Sequence, residues 1–184
     1  DLETPLSAYL KLAAGPYSFL FESVQGGERW GRYSIIGLPA RTVLRVRDGH
    51  VTVTTDGSVV EETRADDPLA WIAAFAARYR VPVEPGLPRF TGGLVGAFGY
   101  DTVRYLEPRL RGRGPRAGTD APDILLMLTE EVVVFDNLSG RLHVVVQVDP
   151  QAPDAFVRGQ ARLLALVERL GGGSAPAPAT ARPR

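Results

Sequence analysis

The sequence predicts an α+β fold: a mostly antiparallel β-sheet or sandwich with about three helices packed on it. Three observations support this class. Apolar residues alternate with polar ones in many short segments, as they do in half-buried strands. Turn residues separate neighbouring segments, and Asp48-Gly49 between two β-branched runs is a strong hairpin signal. Helical periodicity, in contrast, occurs in only three places.

The three helices are predicted from their start signals. Thr4-Pro5 gives a hydroxyl N-cap followed by proline at the first helical position, and Asp67-Pro68 repeats that chemistry for a helix to about Arg80. The last helix begins at Asp154 and ends at Gly171. The apolar residues expected on the inner faces are Leu6, Tyr9, Leu10 and Ala13 in the first helix, Leu69, Ile72, Phe75, Ala76 and Tyr79 in the second, and Phe156, Leu163, Leu164, Val167 and Leu170 in the third.

About eight strands are predicted between these helices. They lie near residues 17–22, 33–36, 41–47, 50–55, 90–100, 124–128, 131–136 and 142–148, with a weaker candidate at 59–60. The strand at 90–100 contains four glycines, which indicate close approach of another backbone or of a ligand.

Composition excludes several classes of protein. The 21 basic and 21 acidic residues balance, so no bulk field favours nucleic acid or an anionic membrane. The chain has no cysteine, which excludes disulfides, thiolate metal sites and a cysteine nucleophile. It also has no run of 18 apolar residues and no start typical of a signal peptide, so the cytoplasm is the expected compartment.

No catalytic or metal-binding motif stands out. His50 and His143 are isolated, without the spacing of a metal site. The glycine block GGLVGAFG is not a dinucleotide fingerprint, and no lysine follows Lys11 to complete a phosphate-binding loop. Asp101 and Glu107 are expected to pair with neighbouring arginines. We therefore predict no catalytic residue and no metal ligand in this chain.

The stretch from residue 17 to residue 37, YSFLFESVQGGERWGRYSIIG, carries the chemistry that an amino-acid ligand requires. An α-ammonium group needs a carboxylate or carbonyl oxygens, an α-carboxylate needs hydroxyl, amide or arginine donors, and an indole needs apolar and aromatic walls. These chemistries are supplied within a dozen residues by Glu22, Ser23, Tyr33 and Ser34. Trp30 and Arg32 are weaker candidates that could equally buttress the loop, and an ordinary hairpin with a solvated tip is the alternative.

Three blocks of the sequence resemble one enzyme family. FLFES followed by GGERWGRYSIIG is similar to the signature near the start of anthranilate synthase component I, in which a Leu-Leu-Glu-Ser element and an Arg-Tyr-Ser element line the site for the inhibitor tryptophan. GGLVGAFGYDTVRYLE and PDILLMLTEEVVVFDN resemble later segments of the same family. The resemblance implies a regulatory domain over residues 1–170 and an interdomain linker over 171–184, with the catalytic chorismate-binding domain absent.

By that resemblance Ser23 corresponds to the serine of the first element, and Glu22, Tyr33 and Ser34 match positions beside it. Trp30 and Arg32 are weaker candidates for the same site. Phe21 departs from the usual leucine and could narrow the pocket. The whole enzyme would convert chorismate, with ammonia from a glutamine amidotransferase subunit, into anthranilate and pyruvate in a Mg²⁺-dependent site. This chain would bind L-tryptophan, contact the catalytic domain, hold no cofactor and be inactive alone.

Three alternatives remain at this stage. The first is the corresponding part of aminodeoxychorismate synthase component I, the folate-pathway relative in which tryptophan is a built-in structural ligand. The second is a free-standing amino-acid-binding module without a catalytic partner. The third is an independent enzyme that uses the carboxylates of Glu22 and Asp101.

Overall fold

The structure, a computed structural model, describes residues 3–24, 30–110 and 121–172. Within these ranges the chain forms nine strands in two antiparallel sheets and four α-helices, which confirms the predicted α+β class. In chain order the elements are α1 (Pro5–Leu12), β1 (Phe19–Val24), β2 (Trp30–Gly37), β3 (Thr42–Arg47), β4 (His50–Thr55), β5 (Ser58–Arg64), α2 (Pro68–Ala76), β6 (Gly93–Phe98), α3 (Val103–Leu106), β7 (Ile124–Thr129), β8 (Glu131–Asp136), β9 (Arg141–Val146) and α4 (Ala155–Gly171).

The chain divides into two compact units. Unit 1 comprises Asp1–Pro39, Pro85–Gly92 and Glu130–Arg184, and unit 2 comprises Ala40–Glu84 and Gly93–Thr129. The single regulatory domain over residues 1–170 stays a prediction. Of the predicted linker, residues 173–184 lie outside the described part of the chain.

Unit 1 contains a four-stranded sheet in the order β1-β2-β8-β9, on which α1 and α4 pack. Its core is one cluster of buried apolar side chains from both helices and from β2 and β8: Ala8, Leu12, Ala13, Ile36, Leu38, Val133, Phe135, Leu166 and Leu170. Since β2 lies in the middle of the sheet, hydrogen-bonded to β1 and β8, its polar residues are held on a rigid support.

Helix α1 begins as predicted. Thr4 Oγ1 accepts a hydrogen bond from the Ser7 amide at 3.1 Å, and Ser7 Oγ accepts one from the Thr4 amide at 2.9 Å, so two otherwise unpaired donors are satisfied reciprocally. The predicted inner face was partly wrong, because Leu6 is exposed while Ala8 and Leu12 are buried.

Helix α4 begins after its predicted N-cap, Asp154, and its inner face also differs from the prediction. Leu166 and Leu170 are buried, whereas Phe156, Leu164 and Val167 are exposed. Apolar residues occupy more than half of the circumference of this helix, so spacing alone could not decide which part of the arc faces the sheet.

Unit 2 contains a five-stranded sheet in the order β5-β4-β3-β7-β6, with α2 packed on one face. The predicted hairpin turn is confirmed: Asp48 and Gly49 have φ of 54° and 78°, as a two-residue turn of type I′ requires. Helix α2 is capped by Asp67, whose Oδ1 accepts hydrogen bonds from the Leu69 and Ala70 amides at 3.1 and 3.0 Å. The buried core of this unit consists of Leu44, Val46, Val51, Val53, Ile72, Phe75, Ile124 and Leu126.

The glycine-rich strand β6 is explained by its neighbour. An ideal Cβ at Gly96 would lie 1.9 Å from the backbone oxygen of Leu125 in β7. The predicted close approach of another backbone is therefore confirmed at this position. Asp101 accepts a hydrogen bond from Arg104 Nε at 2.8 Å, which confirms that predicted pair as well.

A polar network in unit 2 ties the β3–β4 turn to α3 and β7. The Tyr105 hydroxyl donates to Asp123 Oδ2 and accepts from the Gly49 amide at 3.1 Å, and the Asp48 amide donates to the same Asp123 oxygen at 2.9 Å. Burial, with a further contribution from Asp123, raises the pKa of Tyr105 to about 12. The Tyr105 hydroxyl therefore keeps the proton that it donates to Asp123 throughout the neutral pH range.

Candidate functional site

A hollow of about 520 Å³ lies at the end of β1 and along β2 in unit 1. Its volume is within the range of roughly 300–1,000 Å³ that small-molecule sites occupy. The residues that line it combine two aromatic rings, an aliphatic side chain and three polar groups: Phe21, Glu22, Ser23, Arg32, Tyr33 and Ile35. It therefore has both an apolar wall and charged groups of each sign.

An irregularity in the β1–β2 ladder explains how consecutive residues reach the same hollow. The register shifts between Glu22 and Val24, and such a bulge breaks the strict alternation of side chains between the two faces of a sheet. The additional residues lie in β2, where residues 31–33 face Ser23 alone, so the consecutive residues Arg32 and Tyr33 both line the hollow.

Gly31, in the opposing strand, leaves space for Ser23. An ideal Cβ at Gly31 would lie 2.1 Å from Ser23 Cβ and 2.2 Å from the Ser23 backbone oxygen, closer than real Cβ contacts. The position of Ser23 therefore depends on having no side chain at residue 31.

Arg32 is held by a carboxylate from a distant part of the sequence. Its Nε and Nη2 donate to Asp136 Oδ1 and Oδ2 at 3.2 and 3.0 Å. Its guanidinium carbon lies 4.8 Å from the centroid of the Tyr33 ring, within the range of a cation–π contact. Since a guanidinium carries five N–H donors, the two given to Asp136 leave others for a ligand.

Asp136 is a structural anchor of this site. It is only 6% exposed, and its Oδ1 also accepts hydrogen bonds from the Leu138 and Ser139 amides at 3.1 and 3.4 Å. The Arg32 guanidinium, together with these amides, holds the pKa of the Asp136 carboxyl well below its usual range. Sequence reasoning missed this residue, although an acidic residue at the end of the apolar run VVVF was a usable signal.

The turn after β8 adds two further connections to β2. Asn137 Nδ2 donates to the Gly31 backbone oxygen at 3.0 Å, and the Asn137 amide donates to the Arg32 backbone oxygen at 2.8 Å. The backbone that carries Gly31 and Arg32 is thus fixed by the next strand.

Four of the six predicted site residues lie together: Glu22, Ser23, Arg32 and Tyr33 line the hollow. Ser34 is the ladder partner of Glu22, but it is 4% exposed and is not one of the lining residues. Trp30 begins β2, and its side chain lies outside the described part of the structure. Within the described residues, no group of three or more His, Asp or Glu side chains could hold a metal ion.

Comparisons with known proteins agree on one family. The chain is 59% identical to anthranilate synthase component 1 of Pseudomonas aeruginosa over 170 residues, which are 92% of this chain and 35% of that protein. It is 51% identical to the protein of the same name from Neisseria gonorrhoeae over 166 residues, covering 89% of this chain and 34% of that one. The chain belongs to the anthranilate synthase component I family. It matches the N-terminal part of these relatives and spans about a third of their length.

A solved structure shares the fold of this chain. A crystal structure of anthranilate synthase component I from Streptococcus pneumoniae TIGR4 superposes with a TM-score of 0.58 at 24% identity, covering 97% of this chain and 36% of that one. No family model matches the chain. Among the described residues of this anthranilate synthase component I homologue, no helix is long and apolar enough to cross a membrane.

Replacing Asp136 by asparagine is expected to weaken the acid dependence of folding in this family member. Because the folded-state pKa of Asp136 is depressed, its ionised form stabilises the fold above the unfolded pKa of about 3.9, and that stabilisation is lost as the pH falls through the folded pKa. Thermal unfolding from pH 7 down to pH 3 should therefore show a lower melting temperature for Asp136→Asn at neutral pH and a smaller loss on acidification.

Asp56→Asn is the matched control. Asp56 also forms two hydrogen bonds with one arginine, Arg41, but both side chains are more than half exposed, so solvent screens the pair. We expect clearly smaller changes in the melting temperature and in its pH dependence for this variant. Identical pH profiles for the two variants would show that Asp136 contributes no more than a surface pair.

Proposed function

We propose that this chain is the tryptophan-binding, feedback-regulatory part of an anthranilate synthase component I. The observation that carries the proposal is the meeting of Glu22, Ser23, Arg32 and Tyr33 around one hollow. These residues belong to the two sequence elements that resemble the family's inhibitor site. The 59% identity to a protein named anthranilate synthase component 1 supports this branch over the aminodeoxychorismate alternative.

The chemistry of the hollow suits an aromatic α-amino acid. Glu22 supplies an anionic partner for the α-ammonium group. The Ser23 hydroxyl and the remaining N–H groups of Arg32 supply donors for the α-carboxylate, and charge-assisted hydrogen bonds of this kind are among the stronger ones in proteins. Phe21, Tyr33 and Ile35 offer apolar and aromatic surface to an indole ring.

The proposed activity of the whole enzyme is the conversion of chorismate and ammonia, or glutamine, into anthranilate and pyruvate. Its Mg²⁺ site, its chorismate site and its contact with a glutamine amidotransferase subunit would lie at least partly in the two thirds of the relatives that this chain does not match. The chain alone is therefore expected to be inactive, and the complete enzyme would work in the cytoplasm. Tryptophan and chorismate must oppose each other's binding if tryptophan favours the less active arrangement.

Calorimetric titration of L-tryptophan into this chain, alone and as part of the complete subunit, tests the proposal. Glu22→Gln and Ser23→Ala should each weaken tryptophan binding by about tenfold or more. The first removes the negative charge that pairs with the ammonium group, and the second removes a hydrogen bond to the carboxylate; a hydrogen bond with a charged partner is typically worth about 1.5–3 kcal/mol. Glu62→Gln, an exposed acidic residue in unit 2, is the matched control and should bind like the wild type. Heat in neither sample, or unchanged affinity in Ser23→Ala, would count against the assigned pocket.

Three observations would separate the candidates. Tryptophan that stays with the purified protein through dialysis would support a built-in structural ligand, as in aminodeoxychorismate synthase component I. Reversible inhibition of the complete subunit by added tryptophan would support anthranilate synthase. Saturable tryptophan binding by a natural protein that ends near Arg184 would support a free-standing module.

A further inference from the structure

A second hollow, of about 370 Å³, adjoins the first in unit 1. It shares three residues with the first hollow and adds four that the proposed function does not use. The shared residues are Arg32, Tyr33 and Ile35, and the additional ones are Pro88, Arg89, Phe90 and Val134. The segment from Pro88 to Phe90 thus lines the second hollow and not the first.

The lining of this second hollow is apolar and cationic, without an acidic residue. Val134 and Pro88 are buried and give it an apolar base, while Tyr33 and Phe90 are half-buried and present aromatic rings. Two guanidinium groups, of Arg32 and Arg89, complete the lining.

The two guanidinium groups differ in their partners. The Arg32 charge is balanced by Asp136, yet some of its N–H donors remain available. Arg89 forms no ion pair or hydrogen bond through its side chain with any residue that the structure describes. The hollow therefore carries one uncompensated positive charge beside an apolar base, an arrangement that favours an anion with an apolar body.

The wall that carries Arg89 and Phe90 is fixed in place. Gln147 Nε2, just after β9, donates to the Thr91 backbone oxygen at 2.7 Å, and the Gln147 amide donates to the Glu130 backbone oxygen at 2.8 Å. Because the segment is tied to the strand pair β8–β9, a ligand would lose little free energy in ordering it.

We propose that this second hollow binds a planar ring that carries a carboxylate. The carboxylate accepts hydrogen bonds from Arg89 and from the free N–H groups of Arg32, since the guanidinium fork matches the geometry of a carboxylate. The ring lies against Tyr33 and Phe90, where flat aromatic surface is favourable. A zwitterionic amino acid is a poorer fit, because the acidic partner for its ammonium group, Glu22, lines the first hollow and not this one.

Three small probes separate the contributions of charge and ring. Benzoate should bind saturably to the isotope-labelled chain in an NMR titration, with the largest shifts at the Arg89 side chain and at Phe90. Benzamide keeps the ring and loses the charge, so it should bind at least about tenfold more weakly, the usual effect of losing a charge-assisted hydrogen bond. Cyclohexanecarboxylate keeps the charge and loses the flat ring, so it should also bind more weakly than benzoate.

Variants of Arg89 and Phe90, which line the second hollow but not the first, test the residue assignments. Arg89→Gln should weaken benzoate at least about tenfold, whereas Arg158→Gln, an exposed arginine of α4 in the same unit, should leave benzoate affinity unchanged. Phe90→Leu should reduce the preference for benzoate over cyclohexanecarboxylate. Arg89→Lys, which keeps the charge without the fork, should have a benzoate affinity between those of the wild type and Arg89→Gln. The amide spectra of all four variants show directly whether they are folded.

The outcomes that overturn this inference differ from those that overturn the tryptophan site. Benzoate binding without saturation, equal affinity for benzamide, or equal effects of Arg89→Gln and Arg158→Gln would each reject the carboxylate site. Ser23→Ala is expected to leave benzoate binding unchanged, since Ser23 lines only the first hollow. A failure of tryptophan binding alone would therefore leave the carboxylate site standing.

Discussion

Replacing Leu166 by alanine is expected to lower the free energy of unfolding by about 2–5 kcal/mol, the usual cost of a large-to-small substitution in a packed core. Leu166 is 0% exposed and belongs to the cluster that joins α1 and α4 to the sheet of unit 1. The substitution removes buried apolar surface and leaves a cavity that the surrounding strands can fill only partly. Urea unfolding of both proteins under identical conditions gives the difference directly.

Leu164→Ala provides the control on the same helix. Leu164 is two residues away and undergoes the same chemical change, but it is 62% exposed. Its substitution should change stability by no more than about 0.5 kcal/mol, as is usual at the surface. Equal losses of stability in the two variants would mean that α4 packs on the sheet with a different face from the one in the structure. This pair of variants therefore also tests the corrected inner face.

Features set by neighbouring residues could be predicted from the sequence. The Thr4-Pro5 and Asp67-Pro68 helix starts and the Asp48-Gly49 turn each depend on the chemistry of a few consecutive side chains. Strands β8 and β9 were predicted for the same reason. Local signals of this kind determine the elements and their ends but not which element lies beside which.

Features set by distant residues were missed. The pairing of β2 with β8 joins segments about 100 residues apart, and no local pattern indicates that partner. The orientation of α4 is decided by the sheet on which it packs, since its apolar residues form a wide arc. The short helix α3 carries no start signal at Thr102, which makes no side-chain cap hydrogen bond.

The residues of the candidate site also fall into a group that is close in sequence and one that is distant in sequence. The motif led to Glu22, Ser23, Arg32 and Tyr33 because these residues lie close in sequence. Asp136, which holds Arg32, could be recognised only once the β2–β8 ladder brought a residue 104 positions away into hydrogen-bonding distance.

The exclusion of Ser34 from the lining has a local geometric cause. Ser34 occupies the ladder position directly opposite Glu22, where the regular part of the hairpin ends. From the sequence, Glu22, Ser23 and Ser34 each offered a polar group to a ligand. Ser34 lies between Tyr33 and Ile35, which line the hollow, so its side chain points to the opposite, buried face of the sheet.

Replacing Gly31 by alanine is expected to displace Ser23 and so to disrupt the first hollow. The new Cβ would lie 2.2 Å from the Ser23 backbone oxygen, so the main chains of β1 and β2 must move apart at this point. Overpacking of this type typically costs about 1–3 kcal/mol of stability. Under the proposed function, the displaced Ser23 should also lower tryptophan affinity by about tenfold or more, which calorimetry measures.

Gly171→Ala is the matched substitution. An ideal Cβ at Gly171 has no atom within 4 Å, and Gly171 is the last residue of α4 and does not line the hollow. It should leave both the melting temperature and tryptophan binding close to the wild-type values. If Gly31→Ala matched Gly171→Ala in stability, the close packing of β1 against β2 would be wrong. If Gly31→Ala lost stability but kept tryptophan affinity, the packing would stand and Ser23 would have no role in the ligand site.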